Sequence, residues 1–152
     1  MGASGAGKTT LARIMAKLIL PDSGEVTVKG RLSFVFQEDR LLLEETALSN
    51  VLFVNNDRAG AINLLNRLKM TDYLKKAKDL SGGMKRRVAI CRAFNIDFDV
   101  IILDEPFKGL DDKTKILAMD LVREHADKTV VYITHNSDEV KYLGGEMLEF
   151  KN

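Results

Sequence analysis

The sequence has a single cysteine, Cys91, in 152 residues. One thiol cannot close an internal disulfide, which fits a reducing, cytosolic setting. Cys91 also falls in an apolar helical pattern, the placement of a buried structural thiol rather than a reactive one. Charge of neither sign is in excess. Twenty-three basic residues stand against 22 acidic ones for a net charge of +1, so no positive surplus advertises nucleic acid or an anionic membrane as a partner. No run reaches the roughly 18 apolar residues of a membrane span, and the N-terminus does not read as a signal peptide. Internal repeats, low-complexity tracts and long linkers are missing too. What remains is the composition of one globular domain, 45% hydrophobic and 30% charged, long enough to bury a substantial core.

After Met1 comes Gly2-Ala3-Ser4-Gly5-Ala6-Gly7-Lys8-Thr9, which fits G-x-x-x-x-G-K-[ST], a phosphate-cradling loop. The glycines let successive backbone N–H groups curl around a polyphosphate. Lys8 reaches the β- and γ-phosphates, and the Thr9 hydroxyl can ligate Mg²⁺. Chance produces the pattern in roughly one chain in a few hundred of this length. A helix is predicted over 8–19, with Leu11, Ile14, Met15 and Leu18 on one face, stopping at Pro21-Asp22-Ser23-Gly24. Such a loop normally joins a buried strand to its helix, and the sequence before Gly2 holds no such strand.

Strand patterns fall at 25–28, 32–36, 100–103, 130–133 and, more weakly, 146–150. Helical patterns fall at 47–54, 58–69, 71–77, 82–94, 112–125 and 137–143. Strands and helices alternate at both ends of the chain, whereas the middle is almost wholly helical. The division predicts one domain over 1–152, with an α/β core from 1–37 and 96–152 and a helical subdomain over about 38–95. Val100-Ile101-Ile102-Leu103-Asp104-Glu105 reads as a strand buried on both faces that ends in two carboxylates, where open parallel sheets bind ligands. Beside a phosphate loop, Asp104 suits a Mg²⁺ ligand and Glu105 a base for attacking water.

Leu80-Ser81-Gly82-Gly83-Met84 would place Ser81 as a helix N-cap, with two glycines exposing N–H groups, an anion site in its own right. Taken alone, a capped helix without ligand explains it nearly as well. Taken in order with the phosphate loop, Gln37, Asp104-Glu105 and His135, it resembles the ATP-binding cassette (ABC) family from Gly2 to about Phe150. The resemblance implies an α/β P-loop NTPase fold: a mostly parallel central sheet, helices on both faces and a helical insertion. ATP and Mg²⁺ are the implied ligands. Nucleotide would be held by Gly2, Ala3, Ser4, Gly5, Ala6, Gly7, Lys8, Thr9 and Thr10. The metal would be held by Thr9, Gln37 and Asp104, and Glu105, His135 and Gln37 would form the catalytic set. Ser81, Gly82, Gly83 and Asp111 would face the ATP of a second ATP-binding subunit, so that two chains sandwich two nucleotides head to tail. His125, in a charged helix end, gets a structural reading.

Val35 to Leu42, with Asp104-Glu105-Pro106-Phe107, is similar to the importer ATPases of the nitrate, sulfonate and taurine group. That implies a cytoplasmic subunit held on the inner face of the plasma membrane by an integral membrane permease, with a solute-binding protein in the assembled importer and no nucleic-acid partner. Leu41, Leu42 and Leu43 would be candidate permease contacts, or equally a staple into the local core. Two alternatives stand beside this: a soluble ATPase of the same superfamily acting on DNA or ribosomes, and a shortened chain that binds nucleotide without turnover. Two departures from the family pattern are Gly109, where serine or alanine is usual before Leu110-Asp111, and Met84, where glutamine is commonest. A third is the upstream strand pair with its adenine-stacking aromatic residue. Its absence predicts a fragment with an unpaired sheet edge beside the strand that ends in Asp104.

Overall fold

The computed structural model describes residues 7–148, so Gly2, Ala3, Ser4, Gly5 and Ala6 of the phosphate loop, and residues 149–152, lie outside the described residues. Helix α1 (Lys8–Met15) starts directly after Gly7, whose φ of 83° is left-handed and suits glycine. It ends earlier than the predicted 19. Lys17 turns left-handed at φ 57°, and the Leu18 N–H donates back to the Arg13 carbonyl at 2.9 Å, so Leu18, Ile19 and Leu20 leave the helix and are exposed.

Strand β1 (Leu32–Val35) alternates half-buried and buried positions, whereas β2 (Val100–Asp104) is buried throughout, as its unbroken apolar run requires. With β3 (Thr129–Ile133) they form a parallel sheet in the order β1-β2-β3. Phe34 pairs with Ile102, and Ile102 with Val131. The strand ending in Asp104 is therefore paired on both sides, contrary to the expected open edge beside it. Among the described residues the unpaired edges belong to β1 and β3, whose partial exposure tolerates an edge as the fully buried β2 would not. An apolar cleft of about 380 Å³ runs along β3, lined by Leu11 and Met15 of α1, by Val131 and Ile133, and by Met147 and Leu148.

Helices α2 (Ala47–Leu52), α3 (Arg58–Arg67) and α4 (Gly82–Phe94) pack on one another and bury Leu48, Val51, Leu65, Val88 and Cys91. Helix α4 also lies against β1, where the Ser33 hydroxyl donates to the Ala93 carbonyl at 2.7 Å. Helix α5 (Asp112–Arg123) adds Ala118 and Leu121 to the same core. Helix α6 (Ser137–Leu143) packs on α5, with the Tyr142 hydroxyl donating to Asp120 at 2.7 Å.

Two predicted elements do not form, and a third is coil over its described residues. Residues 25–28 are coil with Val26 exposed, because no described segment runs alongside to complete a ladder. Residues 144–148 are coil as well, and 149–150 lie outside the described residues. The helix predicted over 71–77 is replaced by turns and a 3₁₀ turn, Ala77–Asp79. Its backbone groups are taken by residues 43–48: Ala47 N–H donates to Lys75 C=O, Leu48 to Tyr73, Ala77 to Glu45 and Lys78 to Leu43, at 2.8–2.9 Å.

Candidate nucleotide site

The C-terminal ends of β2 and β3 carry the densest chemistry. Asp104 closes β2 at 1% exposure, and its carboxylate accepts a hydrogen bond from the Thr9 side chain in the first turn of α1. Its Oδ1 is buried without a hydrogen-bond partner. Burial raises its pKa above the ordinary carboxylate value, opposed by the Thr9 bond. Leaving a buried acceptor unmet is costly, and a hydrated divalent cation would meet it. No group of three or more His, Cys, Asp or Glu among the described residues could hold a metal by itself. Two oxygens from Asp104 and Thr9 instead suit Mg²⁺, which keeps several waters and takes phosphate oxygens from its substrate.

Glu105 follows with φ 49°, a left-handed backbone for a non-glycine residue, and its N–H donates to the Ile133 carbonyl at 2.9 Å. This turn brings its Oε1 to 2.7 Å from Nδ1 of His135, which lies just beyond β3. The Glu105 side chain is mostly buried, that of His135 mostly exposed. The His135 turn is pinned from within, since the Thr134 hydroxyl donates to the buried Glu139 carboxylate at 2.6 Å and accepts from the Asn136 N–H at 3.0 Å. Lys8 lines the cleft beside β3, and Thr10 is exposed on α1.

Gln37, exposed and two residues past β1, joins this group through its backbone. The link is Arg86 of α4, 3% exposed, which donates to the Phe36 carbonyl at 2.6 Å, to Gln37 C=O at 3.4 Å and to the Asp39 carboxylate at 3.2 Å. The same guanidinium donates to the carbonyls of Asp104 (3.0 Å), Glu105 and Pro106 (2.8 Å). Burial draws its pKa down from the usual arginine range, with Asp39 opposing. Sequence reasoning missed Arg86. Its signal was a charged residue three and four positions before Ala89 and Ile90, on the stripe that faces the core.

A second group forms around the start of α4. Ser81 caps the helix by accepting the Met84 N–H at 3.3 Å, and Gly82 and Gly83 are its first residues. A Cβ on Gly83 would stand 2.9 Å from the Gly109 carbonyl, so these two turns touch through backbone. Gly109 holds φ 79°, a conformation strained for the usual serine or alanine, so glycine here fixes a particular turn. Asp111 caps α5: it accepts from the Thr114 N–H at 3.0 Å and hydroxyl at 2.8 Å, and from Arg87 at 2.9 Å. Those bonds, the Thr114 amide first, hold its pKa below the ordinary carboxylate value. The Asp111 carboxylate is thus engaged within its own chain. Met84 packs against the core, and His125 stacks on Phe98 with its centroid 5.4 Å away.

A parallel sheet with a phosphate-loop helix at its carboxyl edge defines an α/β nucleoside-triphosphate-binding fold. The model of the family described as ABC transporter matches residues 1–108, and this chain belongs to that family. Among curated proteins it is 35% identical to the aliphatic sulfonates import ATP-binding protein SsuB 1 of Nocardia farcinica, over 97% of this chain and 64% of that protein. It is 39% identical to the protein of that name from Pseudomonas syringae pv. syringae, over 97% of this chain and 66% of that one. The chain therefore spans about two thirds of the length of these relatives. Among solved structures, a dimeric bacterial ABC transporter cassette matches with TM-score 0.85 and 30% identity, over 93% of this chain and 75% of that one. The same cassette in a dimeric post-hydrolysis state, bound to ADP and Pi, matches with TM-score 0.83 and 30% identity over the same shares.

Proposed function

We propose that the chain binds Mg·ATP and hydrolyses it as the ATPase subunit of a solute importer of the sulfonate, nitrate and taurine group. The observation that carries the reading is the Glu105–His135 pair at 2.7 Å, set beside an Asp104 that the phosphate-loop helix touches through Thr9. Residues Gly2 to Thr10 hold the phosphates, and Thr9, Asp104 and Gln37 hold Mg²⁺, which supplies charge neutralisation on the phosphate oxygens when bound. Glu105 orients the attacking water and takes its proton. His135, with Nδ1 engaged by Glu105, steadies the base and would have its Nε2 to offer a phosphate oxygen of bound nucleotide.

Ser81, Gly82 and Gly83 serve the γ-phosphate of a second subunit's ATP, through the N–H groups that begin α4. Asp111 orders the turn that crosses to that subunit. Exposed Leu42, Leu43, Phe53 and Leu74 on the helical part suit an apolar contact with a membrane permease. No helix among the described residues is long and apolar enough to cross a membrane, so in this reading the permease supplies attachment to the inner face of the plasma membrane. A solute-binding protein completes the importer.

The test is Glu105→Gln, which keeps size and hydrogen bonding but loses the negative charge. Hydrolysis falls by about 10²-fold or more while ATP binding survives, read by phosphate release and titration calorimetry. Turnover equal to the parent's would remove Glu105 from the chemistry and the hydrolytic reading with it.

A further inference from the structure

Three segments that the proposed chemistry needs in register meet at one side chain. They are the turn after β1, which carries Gln37, the turn after β2, which carries Glu105, and the first half of α4, which begins at Gly82. Arg86 stands among them at 3% exposure and donates to the carbonyls of Phe36, Asp104, Glu105 and Pro106 and to the Asp39 carboxylate. A guanidinium presents its donors in one rigid plane, so acceptors bound to it are held at fixed angles to one another. Burying that charge is expensive, and a well-packed apolar side chain would fill the space at less cost. The Glu105 contact matters most. Glu105 holds a left-handed φ of 49°, which the surrounding structure must enforce, and a backbone that relaxed from it would carry the carboxylate away from His135.

We propose that Arg86 is a positioning residue that fixes the backbones of Gln37 and Glu105 relative to each other. Its kinetic consequence rests on the ATPase reading; its structural consequence does not. A merely structural arginine would lower stability when replaced and leave the surviving folded molecules fully active. A positioning arginine lowers the catalytic constant of folded, nucleotide-bound molecules.

The experiment compares the full chain with Arg86→Lys, Arg86→Ala and Val88→Ala, the last a fully buried α4 core residue outside the site. Titration calorimetry gives ATP affinity, steady-state kinetics separate kcat from KM, and amide hydrogen exchange follows 36–40 and 104–108. Arg86→Lys keeps ATP affinity and KM near the parent's while kcat falls by about 10²-fold, the scale of a small misplacement of reacting groups. Both segments exchange faster together, and guanidinium ion restores part of the kcat of Arg86→Ala. Val88→Ala lowers the melting midpoint and leaves kcat unchanged. Parental kcat in Arg86→Lys, an equal kcat loss in Val88→Ala, or unaltered exchange in both segments would each overturn the proposal. A parent that does not turn over ATP would instead overturn the functional reading, and the exchange data would then decide the positioning claim alone.

Discussion

Single atoms decide much at this site. The Cβ that Gly83 lacks would stand 2.9 Å from the Gly109 carbonyl, whereas a Cβ on neighbouring Gly82 would meet nothing within 4 Å. Gly83→Ala must therefore push two backbone turns apart, a strain of about 1–3 kcal/mol on the scale of overpacking, while Gly82→Ala is milder. Thermal melts of the two variants test this, and equal midpoints would contradict the contact. At this scale the sequence was informative where chemistry shows in residue type. Glu105 and His135 stand out as polar residues ending apolar runs, and Cys91, fully buried with its thiol pKa pushed up, lay in an evident apolar pattern. Arg86 was legible only as a charge on the core-facing stripe of α4, because nothing in its type reveals which carbonyls surround it. The Glu105 φ of 49° was likewise out of reach, being imposed by neighbours remote in sequence.

Among elements, those that satisfy their own backbone were read most closely. Helices α2, α3, α4, α5 and α6 lie within two residues of their predicted bounds, and α1 stopped early only because Lys17 turned left-handed. Elements that depend on a partner were read less well. The pattern at 25–28 has strand-like residues but joins no ladder among the described residues, and 71–77 lost its helix to bonds with 43–48. Helix α5 gives a pH prediction. The Asp111 carboxyl has a depressed pKa in the folded chain, so its contribution is present above the unfolded-state value and is lost as pH falls through the folded one. Asp111→Asn can still cap the Thr114 amide but cannot titrate. Melts over a pH series should show parent and variant separated at neutral pH and converging as pH falls below the usual carboxylate range; a gap that stays constant would deny the charge its role.

For the molecule as a whole, the alternation of strand and helix patterns predicted an α/β fold, and a parallel sheet with helices has that character. Which strand would lie at the edge was misjudged, because edge position follows from the order in which strands pair, and sequence spacing does not encode it. The site residues fall into two groups. Thr9, Asp104, Glu105 and His135 stand together at the ends of β2 and β3, while Ser81, Gly82, Gly83 and Asp111 gather around Gly109 and Arg87. On the proposed reading the two groups are half-sites that isologous pairing would complete, each half facing the other half of a second copy. The most direct test mixes full-length Ser81→Arg chains, whose signature turn is blocked, with Lys8→Ala chains, which cannot hold phosphate. Each variant alone is inactive. If the nucleotide is sandwiched, an equal mixture regains up to roughly a quarter of parental turnover, since half the dimers are mixed and each has one intact site. No recovery under conditions where mixed dimers are shown to form would contradict the account.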